Sequence, residues 1–130
     1  MRRVLGPLLA LGVVLGAVGV FRATAMTFHE RIPAGSRLEV RATASWRGHP
    51  ARAIELSRGL AIMCAAEASA RARVRSFVWH DEGEFEFVVV PAFDAPDRRQ
   101  FRGCLTDLQL PLLRVAVDAM HTEMATDDDE

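Results

Sequence analysis

Polar and apolar residues alternate strictly from Arg37 to Trp46. Leu38, Val40, Ala42, Ala44 and Trp46 fall on one side, and Arg37, Glu39, Arg41, Thr43 and Ser45 on the other. A period of two marks a half-buried strand. Gly48, His49 and Pro50 end it, and Ala51 to Ala68 is built of good helix formers, with Leu56, Leu60, Met63, Cys64 and Glu67 recurring at helical spacing and Gly59 as a weak point. Val74 to Trp79 and Glu84 to Val90 are β-branched and aromatic, and His80-Asp81-Glu82-Gly83 between them has the composition of a turn, with glycine where a positive φ is needed. Asp94 caps a second helix in which Pro96 fits the first turn and Asp97 faces the positive end of the dipole. That helix runs to about Leu108, placing Phe101, Cys104, Leu105 and Leu108 on one stripe, and Pro111 then forces an extended chain into a last strand from Leu112 to Met120.

The order is strand, helix, strand, strand, helix, strand. Both helical stripes are buried most simply by a four-stranded antiparallel sheet with two helices on one face, preceded here by an N-terminal apolar helix. The expected class is therefore α+β, a ferredoxin-like βαββαβ sandwich. That plan hosts enzymes, carriers, regulatory modules and RNA binders, so it assigns no function by itself.

Ahead of the domain, Arg2 and Arg3 precede an uncharged run of 18 residues, Val4 to Phe21, closed by Arg22. The run lies between the core of a signal peptide and the roughly 20 residues that span a bilayer as a helix. Ala23-Thr24-Ala25 offers the small residues of a cleavage site, whereas Arg2 and Arg3 orient an uncleaved anchor with its amino end inside. Both readings stand: residues 1–25 are a signal peptide or a single transmembrane anchor, 26–36 a linker containing Pro33 and Gly35, 37–121 the α+β domain, and 122–130 an acidic disordered tail. Either way the domain is expected outside the cytoplasm, held at the cytoplasmic membrane through residues 4–21 or released into the periplasm or medium.

Composition narrows the chemistry. The net charge is -1 with the acids gathered at Asp127 to Glu130, which implies no basic face for nucleic acid. All 16 basic residues are arginine, and there is no tyrosine. A Schiff-base lysine, a phosphate-loop lysine and a tyrosine general acid are therefore excluded.

Cys64 and Cys104 are the only cysteines, one on each predicted helix beside the core-facing stripe. In an oxidising compartment they are expected to form a structural disulfide, provided that the helices bring their Cα atoms within about 7 Å. His29, His49, His80 and His121 never recur at ligand spacing, so no metal site and no cofactor are expected. On the outer face of the sheet, Glu39, Arg41, Glu84, Glu86 and Arg114 can pair across strands, and the stacked aromatics of an RNA-binding sheet are missing. Phe77 and Trp79 are the candidate contact with a partner strand or peptide. The leading expectation is a non-enzymatic envelope interaction module that contacts another protein or a second copy of itself. The alternative is a small ligand- or metal-binding domain, or a minor enzyme, that uses His80, Asp81 and Glu82 at the hairpin.

Overall fold

The computed structural model describes residues 12–18, 20, 32–108 and 110–125. The chain divides into two units, Met1–Glu30 and Arg31–Glu130. In the first, residues 12–18 and 20 are helical. Among the described residues no helix is long and apolar enough to cross a membrane. This corrects the reading of residues 4–21 as a membrane anchor, and the contact with a membrane and the location outside the cytoplasm that followed from it. The rest of that run, the cleavage site after Ala25 and the acid cluster Asp127 to Glu130 lie outside the described residues.

The second unit begins with a turn at Pro33 to Gly35 and continues as β1 (Arg37–Trp46), α1 (Pro50–Ala68), β2 (Arg73–Trp79), a 3-10 turn (Asp81–Gly83), β3 (Glu84–Val90), α2 (Ala95–Asp107) and β4 (Leu113–Glu123). The sheet order is β2-β3-β1-β4, with every pairing antiparallel. This is the ferredoxin-like α+β sandwich that the alternation and helix stripes imply. Both helices start on side-chain caps followed by proline. His49 Nδ1 accepts from the Ala51 amide at 3.2 Å ahead of α1, and Asp94 Oδ1 accepts from the Asp97 amide at 2.9 Å ahead of α2. Each cap satisfies an amide that the helix cannot, and proline costs nothing where no intrahelical bond is due.

The core lies between the helices and one face of the sheet. Phe85 and Phe87 of β3 and Phe101 of α2 are fully enclosed, and the Phe101 ring meets Phe87 edge-on and Phe93 at a tilt. Opposite this aromatic layer, α1 presents small residues: Ala53, Ser57, Ala61 and Ala65 are buried together with Leu60 and Cys64. The expected stripe differs, because Met63 is 42% exposed and Leu56 is only partly covered. The reason is volume. The sheet's phenylalanines occupy the space between the layers, so α1 turns its alanines inward and approaches closely. Cys64 and Cys104 meet where the two helices pack, and a disulfide joins them with a Cα separation of 5.6 Å.

Two bulges shape the other face. Between Arg75 and Val78 the β2–β3 register shifts, with Ser76 at φ 56°, and between Arg41 and Ala42 the β1–β4 register skips Asp118. β4 continues past Met120 to Glu123, where Arg37 and Glu123 stand opposite each other at 3.9 Å.

Candidate functional site: the sheet face opposite α1 and α2

The polar half of each strand's alternation forms the face opposite α1 and α2. Pairing places its residues in rows. Glu39 of β1 lies between Val88 of β3 and His121 of β4, and Arg41 lies between Glu86 and Ala119 in the next row. Val78 of β2 stands beside Glu86, brought there by the bulge at Ser76. Charged side chains thus stand around a floor of small and branched apolar ones.

The floor is hollow. A cleft of about 470 Å3 runs over Val78, Val88 and Ala119, with Glu39, Arg41, Glu86 and His121 around it and Ser76 at its edge. The β2–β3 register shift between Arg75 and Val78 lies along one side of it, with Ser76 and Val78 in the lining. The cleft's size lies within the usual range for small-molecule sites, about 300 to 1,000 Å3.

One wall is a hydrogen-bonded trio. Arg41 Nε donates to Glu86 Oε1 at 2.8 Å, and His80 Nε2 lies 3.3 Å from Glu86 Oε2. The bond from Arg41, and then that from His80, holds the Glu86 carboxyl below the usual carboxylate range. Thr43 Oγ1 donates to the carboxylate of Asp118, the bulge residue of β4, at 2.6 Å. Glu39 differs from these. Among the described residues its carboxylate has no ion pair and no hydrogen bond, although it stands diagonally across from Glu86.

Beyond the wall a second recess, of about 560 Å3, is lined by Arg41, His80, Asp81, Glu82, Glu84 and Glu86. The two hollows share Arg41 and Glu86. Around them five carboxylates face one guanidinium, and that guanidinium is already bonded to Glu86. The local field is acidic although the whole chain is close to neutral.

The residues singled out from the sequence are partly gathered here. His80, Asp81 and Glu82 form the hairpin turn and line the acidic recess, with Glu82 at φ 67°. Among the described residues no group of three or more His, Cys, Asp or Glu is placed to hold a metal ion, so the metal-binding form of the alternative is set aside. Phe77 and Trp79 turn to the core side: both stack on Phe85, Trp79 also meets Trp46 edge-on, and Arg58 of α1 covers the Phe77 ring at 5.1 Å. Both rings are partly buried against the core. The envelope interaction module loses its tether, since among the described residues no helix is long and apolar enough to cross a membrane. Val78, Val88, Ala119 and Ser76 were not singled out by sequence reasoning. The available signal was a step of three between core-facing residues, Val74 to Phe77 in β2 and Val117 to Met120 in β4, which marks a bulge in each edge strand.

Compared with known proteins, the chain matches no family model, no curated protein and no solved structure.

Proposed function

We propose that the domain binds a small amphiphilic cation, such as an amine on an apolar body, in the cleft on the sheet face opposite α1 and α2. The observation that carries this reading is Glu39, an unpaired carboxylate at the rim of an apolar-floored cleft, one diagonal step from Glu86. Like charges at neighbouring sheet positions repel, and a cation between them removes the repulsion. Arg41 relieves Glu86 but makes no bond to Glu39. Val78, Val88 and Ala119 supply the apolar contact for the ligand's body, and the acidic hairpin raises the local concentration of cations around the opening. The activity is reversible binding.

The test is a titration of the isotopically labelled full chain followed by amide resonances, with hexylammonium, hexanol and hexanoate as probes. Hexylammonium is expected to give saturable shifts at Glu39, Val88, Ala119 and His121, and hexanoate none. Glu39→Gln should weaken hexylammonium about fivefold, the upper end for a solvent-exposed ion pair. Equal shifts from hexanol or hexanoate, or unchanged affinity in Glu39→Gln, would overturn the reading.

A further inference from the structure

A second hollow on the same sheet has the opposite character. It holds about 630 Å3 between the end of β1 and the turn that leads into β4, and Ser45, Trp46, Arg47, Leu110, Pro111, Leu112, Leu113 and Arg114 line it. No acidic residue is among them.

Backbone pairing fixes where its two cations stand. Ser45 is the partner of Arg114 and Trp46 of Leu113, and the Arg47 amide donates to the Leu112 carbonyl at 3.0 Å, which carries the ladder one residue beyond the strand. Arg47 and Arg114 are therefore diagonal neighbours across the β1–β4 pair, on the side of the sheet where Ser45 also lies. Among the described residues neither guanidinium has an ion pair or hydrogen bond. Two like charges so placed repel each other, and an anion between them removes the repulsion. Among the described residues no carboxylate lines the recess, although Glu86 is supplied to Arg41 two rows away.

We propose that this recess is an anion site for an organic oxyanion, a phosphate monoester or carboxylate on an apolar body, held by Arg47 and Arg114. The forked guanidinium matches the paired oxygens of such groups, and two arginines converging on one anion form charge-assisted bonds. Ser45 adds a hydroxyl within the same lining. Leu112, 43% exposed, and Leu110 and Pro111 beside it form the apolar wall against which the body of the ligand rests. The site is independent of the amine cleft: the two hollows share no lining residue, and their charges are opposite.

Trp46 lines the recess and provides the readout. In the full chain carrying Trp79→Phe, Trp46 is the one remaining tryptophan, and its emission is followed while phenyl phosphate, inorganic phosphate or chloride is added at constant ionic strength. A saturable response is expected for phenyl phosphate, with inorganic phosphate about tenfold weaker and chloride without effect. Arg47→Gln with Arg114→Gln should weaken phenyl phosphate at least tenfold and leave hexylammonium binding unchanged, which separates this site from the cleft. If Trp79→Phe perturbs folding, amide shifts at Ser45, Arg47, Leu112 and Arg114 in the unaltered chain answer the same question. A response that chloride reproduces, or that survives in the double variant, would overturn the proposal. Equal affinity for inorganic and phenyl phosphate would overturn its organic half.

Discussion

Reducing the Cys64–Cys104 bond should remove a large share of the domain's stability. The bond closes a loop of 40 residues that contains the last turn of α1, the whole β2–β3 hairpin and most of α2. In the chain-entropy treatment a loop of about this length restricts the unfolded chain by about 4 kcal/mol at 25 °C. For a domain of this size each kcal/mol moves the melting midpoint by about 4 to 8 °C, so the expected loss is about 20 °C. The comparison is best made by reducing the unaltered chain, because Cys64 is fully enclosed and replacing it would add a cavity to the effect measured. Thermal unfolding followed by circular dichroism is recorded for the oxidised chain and for chain reduced in denaturant and refolded with reductant present. A fall of less than about 5 °C, near what a single kcal/mol gives, would refute the loop-closure reasoning. Access makes the reaction slow in the folded state. Only Cys104 is partly exposed, and attack at its sulfur must expel the Cys64 thiolate into a core of alanine and leucine. Glu67 Oε2 lies 3.6 Å from the Cys104 sulfur and repels an approaching thiolate further.

Gly83→Ala should destabilise the fold by about 3 kcal/mol, from a left-handed φ of 85° and a new Cβ that would lie 2.5 Å from the Ala44 carbonyl oxygen and 2.6 Å from the Trp46 ring; a denaturant midpoint within error of the parent's would contradict the geometry. Ser57→Ala should raise stability by about 1 kcal/mol, because the Ser57 hydroxyl is buried in α1 without a hydrogen-bond partner; a lower urea midpoint would mean that the hydroxyl is satisfied. Glu86 should titrate below an ordinary carboxyl and return upward in Arg41→Gln, as read from its side-chain carboxyl resonance. Since its folded value is depressed, its contribution is present above the unfolded carboxylate value and is lost as pH falls through the lowered one. A midpoint unchanged by Arg41→Gln would assign the shift to another cause.

The sheet was legible because its signal is local. Strict alternation in β1 and turn chemistry at His80 to Gly83 determine strand faces and the hairpin before any tertiary contact is known. The caps of α2 were legible for the same reason, and the terminal residues of α1 followed from Pro50. The inner face of α1 was not. Hydropathy ranks Met63 above Ala61, yet the close approach demanded by Phe85 and Phe87 reverses that order, and volume complementarity between layers is not a property of one segment. The candidate site was half visible. Its charged residues follow from alternation, but its hollow lies beside residues that interrupt alternation, Ser76 and Asp118, and reading those as bulges needs the partner strand's register.

That placement bears on what the face is for. An edge-strand bulge is also a device against edge-to-edge pairing, and β2 and β4, the two edges of this sheet, carry one each. Protection of the edges would account for the bulges alone. It would not account for where the charges stand. If the face only had to stay wet, opposite charges would be interspersed and paired, as Arg41 and Glu86 are. Instead the unpaired carboxylate Glu39 stands at one hollow and the unpaired guanidiniums Arg47 and Arg114 at another, toward the opposite end of β1. Exchanging such charges between the hollows would satisfy both sets within the protein. Segregation leaves repulsion in each hollow that a ligand of the opposite charge relieves, and β1, held between β3 and β4, keeps Glu39 in place before the ligand arrives.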